Sequence, residues 1–112
     1  MRLAVIGSKD FHDYQKLKSV LDEISGITTI VSGAAPGTDK MAARYASERH
    51  FELSEFPPDY AKNGEEAKHI RDRQIVENSD RLIAFWDGKC AGTQYTINYA
   101  QKLGLSVTVI HF

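Results

Sequence analysis

A regular alternation of short apolar runs with stretches of helical periodicity restricts the fold of this chain more than any other feature. The five runs with strand-like composition are Leu3–Ile6, Ile27–Val31, Phe51–Phe56, Arg81–Trp86 and Ser106–Ile110. Between them, hydrophobic residues recur every three or four positions, as on the buried face of an amphipathic helix. Strands that alternate with helices favour a parallel sheet covered by helices on both faces.

The stretches between the strands predict four helices. Asp13 is placed to cap the first helix with its carboxylate, and Gly26 is placed to end it. The other three helices are expected over about residues 40–49, 65–78 and 93–103. A loop is expected from Pro57 through Gly64, because proline ends the third strand.

The strand sequences also indicate the order of the sheet. The first and fourth strands are the most continuously apolar and belong at the centre, where both faces are covered. The flavodoxin-like order 2-1-3-4-5 is the alternative, but it puts the third strand at the centre, and Glu52, Ser54 and Glu55 are too polar for that place. We therefore predict a single Rossmann-like α/β domain over residues 1–112, with three layers and a five-stranded parallel sheet in the order 3-2-1-4-5.

The composition indicates one globular domain, because 42% of the 112 residues are hydrophobic and 26% are charged. A net charge of −1 argues against nucleic acid as a partner, since such binders neutralise phosphates with excess basic side chains. A single cysteine excludes an intrachain disulfide and favours a reducing cytosol. No segment approaches the ~20 apolar residues that span a bilayer, and Leu3–Ile6 is too short for a signal-peptide core. We predict a cytoplasmic protein without a membrane partner.

Three loops rich in glycine and small polar residues follow the first, second and fourth strands: Gly7–Phe11, Ser32–Asp39 and Asp87–Thr93. In an open parallel sheet, ligands bind beyond the carboxyl ends of the strands where the strand order reverses, here between strands 1 and 4. Glycine lets backbone N–H groups approach an anion, and each loop leads into a helix N-terminus with partial positive charge. The three loops together predict a site for a phosphate-bearing ligand. In any single loop, the glycine is also explained by a tight turn that requires it.

Several side chains in or near these loops have two explanations each. The hydroxyls of Ser8, Thr38 and Thr93 can donate to a phosphate, cap a helix, or do both. Arg71 offers a guanidinium fork that suits phosphate, or else it forms a surface ion pair. Arg73 is two positions away on the same predicted helix, so at most one of the two arginines faces the site.

The aspartates at or just past the predicted strand ends are Asp10, Asp39, Asp59 and Asp87. Such a carboxylate can hold ribose hydroxyls or act as a base, and a solvated loop carboxylate is the simpler explanation. Cys90 lies beside Lys89 and before a helix, but no histidine is placed to act as its base. No catalytic residue is assigned.

Standard cofactor motifs are missing from the chain. No G-x-G-x-x-G follows the first strand, which argues against a nicotinamide or flavin dinucleotide site. Gly88-Lys89 lacks the flanking residues of a Walker loop. The four histidines do not have the spacing of metal ligands. We therefore predict no cofactor and no metal.

The segments that together carry a family resemblance are Gly7-Ser8-Lys9-Asp10-Phe11, Ser32–Asp39, Ile70-Arg71-Asp72-Arg73, and Phe85–Gly88 with Gly92-Thr93. In order and spacing they are similar to the YspA/YpsA-related branch of the SLOG superfamily. Its members are Rossmann-like domains, kin to the Lonely-guy phosphoribohydrolases and the DNA-processing protein A family. The resemblance runs from Leu3 to Ile110. It departs from the family pattern at Lys9, Ala34 and Thr38, where the family usually has arginine, glycine and alanine.

The resemblance implies one SLOG-like domain that binds a nucleotide or a nucleotide-derived ligand. The matched positions that would line its site are Gly7, Ser8, Ser32, Gly33, Gly37, Asp39, Arg71, Gly92 and Thr93. The candidates that complete the ligand-binding set from the same loops are Lys9, Asp10, Thr38 and Asp87.

Two functions fit this resemblance. The first is a small cytosolic sensor or sequestering module, which the resemblance and the small size suggest is a homo-oligomer. The second is an enzyme that cleaves the base from a nucleoside monophosphate. The Lonely-guy enzymes carry a glutamate where this chain has Thr96, and their oxocarbenium-like transition state needs a carboxylate, which Asp39 or Asp87 would have to supply. Binding of single-stranded DNA, as in the DNA-processing relatives, conflicts with the net charge and would show a steep salt dependence.

Overall fold

The five strands are β1 (Arg2–Gly7), β2 (Thr29–Ser32), β3 (Glu52–Glu55), β4 (Arg81–Trp86) and β5 (Ser106–His111). In the computed structural model, which describes residues 1–112, they form one sheet in the order β3-β2-β1-β4-β5. All four neighbouring pairs are parallel, and β1 lies between β2 and β4. The predicted fold class and strand order are confirmed.

The strand order follows from how much apolar surface each strand can bury. Leu3 and Val5 belong to the hydrophobic layer on one face of the sheet, and Ala4 and Ile6 belong to the layer on the other face. A strand that is apolar on both sides needs helices over both faces, which only a central position provides. β3 lies at an edge, where Leu53 is 39% exposed, as the polar residues of this strand predict.

The helices are α1 (Tyr14–Asp22), α2 (Thr38–Arg49), α3 (Tyr60–Asn63), α4 (Ala67–Glu77) and α5 (Ala91–Lys102), and a 3₁₀ turn at Gly64–Glu66 joins α3 to α4. α1 and α2 cover one face of the sheet, where Leu17, Leu21 and Tyr45 are buried. α4 and α5 cover the other face through Ile75 and Ile97. None of these helices has the length and apolar character needed to cross a membrane.

The helix boundaries differ from the sequence prediction by a few residues. The Asp13 carboxylate caps α1 as predicted, accepting a hydrogen bond of 3.1 Å from the amide of Lys16. The helix ends at Asp22, and Gly26 instead adopts a φ of +82° in the connection to β2. α2 and α5 each begin two residues before their predicted starts.

The short helix α3 lies inside the segment that the sequence predicts to be a loop. Asp59 accepts a hydrogen bond of 3.1 Å from the amide of Lys62, which satisfies one of the free N–H groups of the first turn. The prediction of a continuous loop through Gly64 is therefore wrong, because this capping carboxylate lets a helical turn form.

Candidate functional site

A cavity of about 840 Å³ opens at the carboxyl ends of the central strands. The loops that follow β1, β2 and β4 form most of its wall, and α4 closes one side. It lies at the reversal of strand order between β1 and β4, which is where open parallel sheets bind ligands. We call it the central cavity.

The structure brings most of the predicted site residues to this cavity. Those that line it are Gly7, Ser8, Lys9, Asp10, Gly33, Asp39, Arg71, Asp87, Gly92 and Thr93. Three others, Ser32, Gly37 and Thr38, are buried and do not line it. The Thr38 hydroxyl donates a hydrogen bond of 3.0 Å to the carbonyl of Ser8, so it joins the second loop to the first.

The three loops are held together by direct contacts. Gly37 has φ +77° and ψ −122°, a conformation that side chains rarely allow, and a Cβ atom there would lie only 2.7 Å from the Cα of Lys9. The amide of Ser8 donates to the carbonyl of Phe85 at 2.9 Å, and its hydroxyl accepts a long hydrogen bond of 3.4 Å from the amide of Asp87. The cavity wall is therefore one connected unit.

The amides of the second loop bind a carboxylate of the protein itself. Gly33 and Ala35 each donate a backbone hydrogen bond of 3.2 Å to Oδ2 of Asp39, which is only 7% exposed. In this structure these two amides are therefore bound to the Asp39 carboxylate and are not free donors for an anion. The same hydrogen bonds hold the loop in its turn at the start of α2.

Arg71 connects this loop to α4. Its Nη1 donates to the carbonyl of Gly33 at 2.6 Å, and its Nε donates to Oδ1 of Asp72 at 2.8 Å. A Cβ atom at position 33 would lie 2.9 Å from the Arg71 Cζ and 3.0 Å from the Asp39 carboxylate, so a side chain there would have to displace these groups. Arg73 instead donates to the hydroxyl of Tyr95, and Arg71 is the one of the two that reaches the central cavity.

Asp72 is a cavity residue that the sequence analysis does not assign. It is 9% exposed and lines the cavity. Burial raises its pKa, while the Arg71 guanidinium and the side chain of Thr96 partly offset that rise. The hydrophobic periodicity of this helix does not indicate that the side chain of Asp72 is buried. The one sequence feature that could have indicated it is the adjacent candidate site residue, Arg71.

The N-terminus of α5 contributes backbone donors that have no protein acceptor. Its N-cap residue, Cys90, makes no side-chain capping hydrogen bond, and the first three amides of a helix have no partner within it. In α5 these belong to Ala91, Gly92 and Thr93. Gly92 and Thr93 line the central cavity, and a Cβ atom at Gly92 would meet nothing within 4 Å, so this helix end is accessible and favours an anion.

Asp87 shapes the loop just before this helix. Its carboxylate accepts hydrogen bonds of 2.8 Å from the amides of Lys89 and Cys90. These bonds, that from Cys90 first, lower the pKa of Asp87. The carboxylate therefore holds the turn that presents the open end of α5.

Charges of both signs line the central cavity. Its basic and acidic side chains are Lys9, Lys68, Arg71, Lys89, Asp10, Asp39, Asp72 and Asp87. Arg71, Asp39 and Asp72 are largely buried, whereas the three lysines are exposed. No group of three or more His, Cys, Asp or Glu side chains is placed to share a metal ion. The balance of charges suits a small anion held by local donors better than a long polyanion.

The buried Asp39 carboxylate predicts a pH-dependent stability. Burial raises its pKa from 3.8 to about 6, against the opposing effects of the Ala35 amide, the Arg71 guanidinium and the Gly33 amide. The folded state therefore holds a proton that the unfolded chain has already released. The resulting stabilisation is complete below the unfolded pKa and is lost as the pH rises through about 6, a total of about 3 kcal/mol.

We expect this loss to be visible when the wild type is compared with Asp39→Asn, which keeps an acceptor for the loop amides. Between pH 4 and pH 7, the free energy of unfolding of the wild type should fall by about 2 kcal/mol relative to the variant. Urea unfolding at several pH values measures the difference. A gap between the two proteins that does not change with pH would contradict the raised pKa of Asp39.

Comparison with known proteins gives one match. A model of the YspA, cpYpsA-related SLOG family matches residues 1–62, more than half of the chain. The matched segment runs from β1 into α3 and contains the first two loops of the central cavity. No curated protein and no solved structure matches the chain. The match confirms the family that the sequence motifs resemble and suggests a nucleotide-related role, in binding or in processing.

Proposed function

This chain belongs to the YspA, cpYpsA-related SLOG family, and from that premise we propose that its central cavity binds a nucleotide or a nucleotide-derived ligand. The observation that carries the proposal is the uncapped N-terminus of α5, which opens into a cavity at the reversal of strand order. A volume of about 840 Å³ is within the range of small-molecule sites. The protein would act as a small sensor or sequestering module for this ligand.

The anionic group of the ligand is assigned to the end of α5. The free amides of Ala91, Gly92 and Thr93 provide donors there, and the helix dipole favours negative charge at this position. Exposed Lys9 and Lys89 lie on the same cavity wall and add positive charge. Arg71 contributes mainly by holding the second loop, since Nη1 and Nε already donate to protein acceptors.

A thermal-shift screen with nucleoside monophosphates tests the proposal. A ligand at ~100 times its dissociation constant adds about 2.7 kcal/mol to the free energy of unfolding, which raises the melting temperature of a domain of this size by several degrees. The Gly92→Asp variant places a carboxylate beside the free amides, where it competes with and repels the ligand. We expect it to remove the shift without disturbing the fold, because a Cβ atom at position 92 meets nothing within 4 Å.

Gly92→Asn is the matched control, since it has the shape of aspartate without the charge. It should retain most of the shift and melt close to the wild type in the absence of ligand. Equal shifts in wild type and Gly92→Asp would exclude the end of α5 as the anion site. The absence of a shift with every nucleoside monophosphate, dinucleotide and cyclic nucleotide would contradict the proposed function.

Hydrolysis of the bond between base and sugar is the second candidate function, and the buried carboxylate of Asp72 favours it. This side chain lines the cavity beside Thr96, the position at which the Lonely-guy enzymes carry their glutamate. In such a reaction, water adds to the anomeric carbon and the base leaves with a proton, while a carboxylate stabilises the cationic transition state. Release of free base from a nucleoside monophosphate, lost in Asp72→Asn, would favour the enzyme; recovery of intact ligand would favour the binding module.

Self-association and a cytosolic location are part of the proposal for the binding module. The balance of charges in the cavity supports a small-molecule partner over nucleic acid.

Sedimentation velocity with and without the nucleotide that gives the largest thermal shift tests the oligomeric state. A single species at 12.6 kDa under both conditions would remove self-association from the proposal.

A further inference from the structure

The part of the cavity wall that comes from the segment before α3, from α3 itself and from α4 is partly aromatic. Pro58 and Tyr60, at the start of α3, and His69, in the first turn of α4, all line it. Tyr60 is 55% exposed although it is a large hydrophobic residue. The cavity therefore has two chemically different parts, one of backbone donors at α5 and one of ring surfaces at α3 and α4.

The ring of His69 is held in a fixed orientation by its neighbours. It stacks on Tyr95 of α5 with a centroid distance of 4.2 Å and an interplanar angle of 15°. Tyr95 covers one face of the His69 ring and does not itself line the cavity. The hydroxyl of Tyr95 in turn accepts a hydrogen bond of 2.9 Å from Nη1 of Arg73. These contacts preorganise a ring that lines the cavity.

We propose that His69 is the platform on which the heterocyclic base of the ligand stacks, while the anionic group of the same ligand binds at the N-terminus of α5. The inference rests on the proposed function and specifies its ligand class as a base-containing nucleotide rather than a sugar phosphate or inorganic phosphate. A flat π-system with one face already covered offers its other face at little conformational cost. Stacking tolerates any base, because each base has a π-face.

The affinities of AMP, GMP, CMP and UMP, compared with that of ribose 5-phosphate, test the proposal by titration calorimetry. Stacking of one base is expected to make at least one nucleotide bind about 5- to 150-fold more tightly than ribose 5-phosphate. His69→Ala should remove this advantage and leave the affinity for ribose 5-phosphate unchanged. His69→Phe keeps a ring at the same place and should retain the preference for the nucleotide.

Tyr95 and Tyr99 provide a matched pair of variants. Both lie on α5, one helical turn apart, and both form hydrogen bonds to side chains of α4, but only Tyr95 supports His69. Tyr95→Leu should weaken nucleotide binding several-fold without affecting ribose 5-phosphate. Tyr99→Leu should change neither affinity. Thermal melting of each unliganded variant shows whether it is folded.

The possible results separate this inference from the proposed function. Equal affinities for the nucleotides and ribose 5-phosphate would overturn the stacking role of His69 and leave the anion site intact. A His69→Ala variant that keeps the full preference for nucleotides, or that loses both ligands equally, would overturn it as well. A wild-type protein that binds none of the five compounds would overturn this inference, and if it also shows no thermal shift with any dinucleotide or cyclic nucleotide, the proposed function is overturned as well.

Discussion

Replacement of Gly37 by alanine is expected to lower the free energy of unfolding by about 4 kcal/mol. Two costs add at this position. The backbone has φ +77° and ψ −122°, which is a region that alanine rarely adopts. The new Cβ atom would also lie 2.7 Å from both the Cα and the carbonyl carbon of Lys9, and a backbone atom cannot move aside as a flexible side chain would.

Gly26→Ala is the control for a positive φ without a close contact. Gly26 has a similar φ of +82°, but a Cβ atom there would meet nothing within 4 Å. This variant should lose only about 1 kcal/mol, which is the cost of the left-handed backbone alone. Urea unfolding followed by the fluorescence of the single tryptophan, Trp86, measures both. Equal losses in the two variants would show that the contact between the first and second loops is not tight.

The contact between Gly37 and Lys9 shows why the sequence predicts where the loops lie in the chain but not how they pack against each other. The glycine and proline content of 32–39 is a local signal, and it indicates a turn before α2. The approach of Gly37 to Lys9 depends on the placement of β1 beside β2, which no local pattern records. The location of the cavity is predictable because the carboxyl ends of parallel strands share one edge of the sheet.

The fold itself was accessible from the sequence because its strongest signals are also its most buried elements. β1 and β4 are apolar at every interior position, and their burial on both faces fixes the centre of the sheet. The short helix α3 was not accessible, because a four-residue element shows no periodicity. Its formation depends on the capping carboxylate of Asp59, which in the sequence is also consistent with an ordinary loop aspartate.

The details of the candidate site depend on choices between hydrogen-bond partners that arise only in three dimensions. The amides of Gly33 and Ala35 bind Asp39 because α2 begins directly after the loop and turns that carboxylate back towards it. Asp72 is buried at the cavity wall, and Arg71, the adjacent residue, donates a hydrogen bond to its carboxylate there. A sequence pattern identifies the donors and acceptors of a loop. Which of them form hydrogen bonds depends on how α2 and α4 are placed against that loop in the folded protein.

Arg71→Ala is expected to destabilise the protein by about 3–5 kcal/mol near pH 7, because it leaves the buried carboxylate of Asp72 without its cationic partner. The Arg71 side chain is only 11% exposed and also donates to the carbonyl of Gly33. Its positive charge lowers the pKa of Asp39 and of Asp72 against the effect of burial. Without it, both pKa values should rise further, so the destabilisation should become smaller as the pH falls and the two carboxylates take up protons.

Two further variants assign this loss to the uncompensated charge rather than to the missing side-chain volume. Arg73→Ala, two residues along the same helix, removes an arginine whose hydrogen bond is to Tyr95, and it should change the stability little. Asp72→Asn added to Arg71→Ala should recover a large part of the lost stability, since the buried group is then neutral. Urea unfolding at pH 5 and pH 7 measures all three. If the double variant is no more stable than Arg71→Ala, or if the loss is the same at both pH values, then Arg71 stabilises the fold by packing and by its bond to Gly33, and compensation of the carboxylates is not its main role.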